Sequence, residues 1–200
     1  MPQAVTHVLI ALIVASLLRD VFTSKFPRVN FDSTQKSAKI SDVRKKKKSK
    51  FPLHYVLIAG IAGLLPDIDI AAFLVLKYFG FALNEVHRTF THTLFLPLLF
   101  VILAIVFWKF NNKELGKHHL TLHGVFLMIA LGSLIHLALD AGVAGVIMPL
   151  YPFSGYTIGF SILKFIPTAF QDLFFPSLDA FLLVLWLIYM EARHRISDFI

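Results

Sequence analysis

The 200-residue chain has no cysteine, which excludes disulfides and thiolate ligands and leaves any transition-metal site to nitrogen and oxygen donors. It has no convincing repeat of one half in the other, an absence that counts against the repeat architecture of many secondary transporters. No basic residue precedes the first apolar run and no small-x-small cleavage site marks its end, so the run is expected to be a retained span, not a cleaved signal. The formal charge is +7, but the basic residues gather in a polar loop without interleaved aromatics, which argues against a nucleic-acid partner.

What is present in abundance is apolar. Hydrophobic residues make up 57% of the chain and phenylalanine alone contributes 21 positions, against roughly 45–50% apolar residues in soluble domains. This is the composition of an integral membrane protein. Windows of about 20 residues, matched to a hydrocarbon core of roughly 30 Å, pick out five candidate spans: Ala4 to Phe22, Leu53 to Phe79, His92 to Phe110, Thr121 to Ala141 and Leu173 to Met190. The fold expected is all-α: a polytopic membrane helix bundle of about five transmembrane helices. Its second helix is broken at Pro66, and the Gly-, Pro- and aromatic-rich stretch from Gly142 to Gln171 is expected to be re-entrant or interfacial before the last span. Residues 1–200 are read as a single membrane-embedded domain with a basic cytoplasmic loop at 20–52.

Charge orients this bundle. Arg19, Lys25, Arg28, Lys36, Lys39, Arg44, Lys45 to Lys48 and Lys50 outnumber Asp20, Asp32 and Asp42 in the first loop. Placing that loop inside also puts Lys109, Lys113, Lys117, Arg193 and Arg195 inside, leaving only Arg88 and Lys164 outside. The expectation is a multi-pass protein of the cytoplasmic (inner) membrane with its N-terminus outside and its C-terminus inside. The Lys45 to Lys48 run is a topology anchor that also attracts anionic lipid headgroups, at about 1 kcal/mol per charge.

Against this background six residues stand out in or beside the apolar runs: His7, Asp67, Asp69, His92, His136 and Asp140. A carboxylate at the bilayer centre costs roughly 2.5–3.5 kcal/mol on insertion scales, so such groups face the bundle interior and mark function by default. Pro66 cannot donate a backbone hydrogen bond and pushes Leu65 away from helical geometry; extended backbone there would let Asp67 and Asp69 share a face and converge on one cation. The alternative is that Asp67 caps a restarted helix. His136 and Asp140, four apart, share a helix face, either as two ligands, as one ligand oriented by the other, or as a buried pair that only holds helices together. His87 and His92 flank Arg88, Thr89 and Thr91, a loop leading into a helix with either threonine as a cap and with Arg88 suited to an anionic group, or else an interfacial anchor. His118, His119 and His123 lie away from any carboxylate pair, and His54 and His194 flank spans; all five are assigned to the surface or the headgroup region. Under the derived topology the chosen groups all fall in the outer half or near the middle of the bundle and can meet in one cavity.

The ordered set Thr6-His7, Leu65-Pro66-Asp67-Ile68-Asp69, His87-Arg88, Thr91-His92, His136, Leu139-Asp140, Tyr151-Pro152-Phe153-Ser154 and Gly159 resembles the YdjM-like inner-membrane metal-dependent hydrolases, some of them LexA-regulated in bacteria. The resemblance implies a metal site drawn from His7, Asp67, Asp69, His87, His92, His136 and Asp140, with Arg88 beside it. Thr93 stands where the family usually has serine, and the long basic loop looks like an insertion.

Two functions from different classes are carried forward. The first is a membrane-bound metal-dependent hydrolase cleaving a phosphoester or related bond of a lipid or lipid-linked substrate at the outer leaflet. It would hold one or two divalent ions, zinc or manganese, on His7, Asp67, Asp69, His92, His136 and Asp140, with Asp69, His87 and Arg88 in catalysis. The second is a transporter or proton relay through the same polar centre; a non-catalytic, metal-stabilised membrane protein is a third.

Overall fold

A computed structural model describes residues 4–23, 51–87, 89–110, 114–116 and 120–194. Arg88 and the Lys45 to Lys48 run lie outside the described residues. The architecture is helical: α1 (Ala4–Thr23), α2 (Leu53–Ala62), α3 (Ile68–Leu76), the single turn α4 (Leu83–Val86), α5 (Phe95–Phe110), α6 (Leu122–Leu139) and α7 (Thr168–His194). A two-stranded hairpin pairing Glu114–Leu115 with Leu120–Thr121 leads into α6.

Among the described residues, three stretches are long and apolar enough to cross a membrane unaided: Ala4–Phe22, Leu122–Val143 and Thr168–Arg193. The other two expected spans are interrupted. The second breaks at Pro66, as its chemistry requires. Gly63, Leu64 and Leu65 bond back to Ala59, Ile61 and Ala62, and the chain turns through Asp67 before α3 begins. The expected extended backbone is not found, because these local bonds tighten the segment into consecutive turns. The third expected span enters through a loop, with helix starting at Phe95, not at His92. Pro97 is tolerated there because the first turn has no intrahelical acceptor for its missing N–H.

Small residues set the centre. Ala15, Val56 and Ala59 are fully buried, and a Cβ on Gly132 would overlap the Ala59 carbonyl oxygen, so α6 crosses α2 at backbone contact. α5 packs on α6, and α7 packs mainly on α1, with Trp186 reaching the Ala15–Val56–Ala59 cluster. At one end of that α1–α7 seam the Thr6 hydroxyl donates to Asp179. At the other, Asp20 accepts from Tyr189 at 2.8 Å and from Arg193 Nε at 2.7 Å.

α6 is capped by Thr121, whose hydroxyl accepts from the Gly124 N–H at 3.4 Å, and ends in a π-helical turn over Asp140–Ala144. The stretch that follows is held by an isolated bridge between Ile147 and Ile158 and one 3₁₀ turn, Ile162–Phe165. A Cβ on Gly159 would collide with the Gly145 carbonyl, so only glycine permits this close approach. Phe153, Phe160 and Phe165 are each at least 80% exposed, which suits a stretch between two spans at a membrane face.

Candidate metal centre

The break after α2, the loop before α5, the start of α1 and the end of α6 meet at one point. His136 is fixed first. Its Nδ1 lies 2.7 Å from the Gly63 carbonyl; a carbonyl can only accept, so this nitrogen carries the proton. Gly63 O is available because Asp67 N–H bonds to Leu64 O and Pro66 has no N–H to offer.

His92 is fixed the same way by another acceptor. Its Nδ1 sits 3.1 Å from Asp69 Oδ2, and Asp69 also accepts from the Thr91 hydroxyl at 2.9 Å. The other Asp69 oxygen lies 3.0 Å from His87 Nδ1. Neither threonine weighed as a cap for α5 serves as one: Thr89 donates to the Val86 carbonyl and Thr91 to Asp69. Thr93, almost fully buried, donates to the Phe90 carbonyl at 3.0 Å and so fixes the loop, not a ligand.

With both Nδ1 atoms held by acceptors, the two Nε2 atoms face each other at 3.2 Å. Two bare lone pairs at that distance repel, so the contact calls for a cation between them, a metal ion or a proton. Two carboxylates surround the same point. Asp67 Oδ1 is 3.4 Å from His92 Nε2 and 3.5 Å from His136 Nε2, and Asp140 Oδ2 is 3.4 Å and 3.8 Å from the same atoms. A tetrahedral ion with bonds of about 2.0–2.2 Å to nitrogen and oxygen needs donor–donor edges of roughly 3.3–3.6 Å. The five distances, 3.2 to 3.8 Å, lie close to that range, so the donor set suits a divalent cation. His7 adjoins this set: its Nε2 lies 3.6 Å from Asp140 Oδ1, and its ring stacks on His136 at 3.8 Å between centroids.

Three overlapping groups can hold an ion: His7, Asp67 and His136; Asp67, His87 and His92; and His92, His136 and Asp140. Of the sequence candidates, the structure thus brings His7, Asp67, His87, His92, His136 and Asp140 together. Asp69 is also at the site but turned the other way. The turns at Gly63 to Asp67 and the start of α3 separate the two aspartates, so Asp67 faces the Nε2 atoms of His92 and His136 while Asp69 holds Nδ1 of His92 and of His87. Asp69 is a carboxylate behind the candidate ligand His92, an arrangement that fixes tautomer and ring orientation at metal sites. The Gly63 carbonyl was not singled out from sequence; its signal is Pro66 three residues on, which removes a backbone competitor.

His92 and His136 are fully buried, whereas the Asp67 side chain is 24% exposed. The centre therefore opens on the Asp67 side. His123, one of the residues set aside, lies at the far end of α6, its Nε2 3.3 Å from the Thr121 hydroxyl.

No curated protein and no solved structure matches the chain. The profile of the YdjM inner membrane protein family matches residues 1–195. That span includes every residue of the centre, and the membrane-crossing helices agree with it: the chain belongs to the YdjM inner membrane protein family.

Proposed function

We propose that the protein is a metal-dependent hydrolase that cleaves a phosphoester or related bond of a lipid or lipid-linked substrate at the outer leaflet. The observation that carries the reading is the 3.2 Å approach of two Nε2 atoms whose Nδ1 partners are both acceptors. His92, His136, Asp67 and Asp140 would hold the ion, zinc or manganese by donor type, with His7 completing the set. A divalent cation there supplies Lewis acidity, polarising a phosphoryl or acyl oxygen and acidifying water.

The chain's own groups supply the proton handling. Asp69 holds His87 with its proton on Nδ1, leaving Nε2 to accept one from water, as a general base must. The water oxygen then bonds to phosphorus, the ester P–O bond breaks, and the proton on His87 Nε2 passes to the leaving oxygen. Asp69 steadies the charge formed on His87 in between. Arg88, next in sequence, is assigned to the substrate's anionic group.

The break between α2 and α3 also supports a second reading, an ion or proton relay, because broken helices line transport sites. Elemental analysis of detergent-purified wild type, Asp67→Ala and His136→Ala, paired with a phosphoester release assay, tests both. Stoichiometric zinc or manganese in wild type, its loss in both variants and metal-dependent hydrolysis are the expected results. A well-folded wild type that takes up no metal even after repletion would overturn the hydrolase, and proton flux in proteoliposomes would then establish the relay.

A further inference from the structure

Asp179 has no part in the proposed chemistry, yet it holds a costly position. Among the described residues of α7 only Phe175 and Asp179, one turn apart, are buried; the others face lipid or are half-covered. A carboxylate inside a membrane-crossing helix marks function by default. Its partner points to which function. The Thr6 hydroxyl donates to Asp179, and Thr6 directly precedes His7; both are 1% exposed. Successive side chains leave a helix about 100° apart, so a tie on Thr6 sets the rotation of α1 at the level of His7.

The other side of this turn is set by α2. A Cβ on Gly63 would lie 3.1 Å from the His7 carbonyl oxygen, and the Gly63 carbonyl is the one that holds His136. The start of α1 is thus held between the break after α2 and Asp179 on α7. That placement decides where the His7 ring goes: stacked on His136, with Nε2 3.6 Å from Asp140 Oδ1. The carboxylate also lies toward the N-terminal, positive end of the α1 dipole, which offsets its burial.

We infer that Asp179 is a positioning residue of the metal centre: through the Thr6 hydroxyl it holds α1 at the rotation and depth that bring His7 to Asp140 and the ion. It touches neither ion nor substrate. The inference rests on the metal-binding part of the proposed function and not on hydrolysis. The same seam supplies a control. Asp20 ties α1 to α7 through Tyr189 and Arg193, thirteen residues beyond His7, or roughly 20 Å at 1.5 Å per residue.

The test is zinc titration of the full chain in detergent against a competing chelator, with cobalt absorption as a second readout of the ligand set. Asp179→Leu removes the acceptor from a largely lipid-facing helix, and Thr6→Val removes the hydroxyl at nearly constant size. Each should raise the zinc dissociation constant about 10-fold, the lower end of the range for groups that orient ligands, and each should give the cobalt spectrum of His7→Ala. In a His7→Ala background neither should weaken zinc further, because both act through His7. Thr6→Ser and Asp179→Asn, which keep donor and acceptor, should bind zinc as wild type does. Asp20→Leu should lower thermal stability yet leave the zinc constant and the cobalt spectrum unchanged.

A zinc constant in Asp179→Leu no different from that in Asp20→Leu, or a full further loss in the His7→Ala background, would reduce Asp179 to a seam contact. Either result overturns the inference and leaves the metal centre standing. Should Asp179→Leu fail to fold, Thr6→Val decides by the same criteria. A wild type that binds neither zinc nor cobalt sinks the metal reading and the inference together.

Discussion

Asp69 holds two histidines by the same kind of atom, His92 Nδ1 through one oxygen and His87 Nδ1 through the other, at 3.1 and 3.0 Å. One carboxylate thus fixes the tautomer of a proposed ligand and of the proposed base together. Asp69→Asn, whose amide can still accept at one oxygen only, should raise the metal dissociation constant about 10–100-fold while leaving full occupancy at saturating metal. Titration with zinc against a competing chelator checks this; an unchanged constant would remove Asp69 from any orienting role.

The α2–α6 crossing depends on Gly132, where a Cβ would overlap the Ala59 carbonyl. Gly132→Ala should lower stability by about 1–3 kcal/mol through overpacking. Gly142→Ala, which meets nothing within 4 Å, should leave it within about 0.5 kcal/mol. Thermal unfolding of both variants in one detergent makes the comparison.

Asp20 is buried at the end of the α1–α7 seam, with Tyr189 and Arg193 bonded to one oxygen. Asp20→Ala should cost about 1.5–3 kcal/mol, the range for hydrogen bonds to a charged group. A double-mutant cycle with Arg193→Met should recover part of that loss. Additive losses would show that the two residues act independently.

The orientation proposed from charge puts the Lys45 to Lys48 loop in the cytoplasm. A topology reporter fused there should be active only in its cytoplasmic form; activity of the external form would invert the bundle and move the proposed hydrolysis to the inner leaflet.

The sequence made the membrane class and the buried polar centre legible because both follow from composition: a carboxylate or imidazole in an apolar run has to be compensated. The break at Pro66 was legible for the same reason, since a missing N–H is a local fact. The division of labour between Asp67 and Asp69 was not. It depends on whether the backbone turns or extends over Gly63 to Asp67, which is settled by where Gly63, Leu64 and Leu65 find acceptors and by α6 packing against Gly63. Thr91 was misread as a helix cap because its true acceptor, Asp69, is 22 residues away. The Gly63 carbonyl carries no side-chain signature at all.

The spacing of His7 and Asp140 along the chain bears on how the protein is made. At about 5–20 residues per second of synthesis, roughly 6 to 23 seconds separate the translation of the end of α1 from that of Asp140. His7 lies in the first turn of its helix, where an imidazole can stay among lipid headgroups, whereas a histidine at mid-helix would have to wait in hydrocarbon. The candidate ligand made earliest thus occupies a position where it can be stored hydrated, and the polar cluster closes only once α6 delivers His136 and Asp140 together.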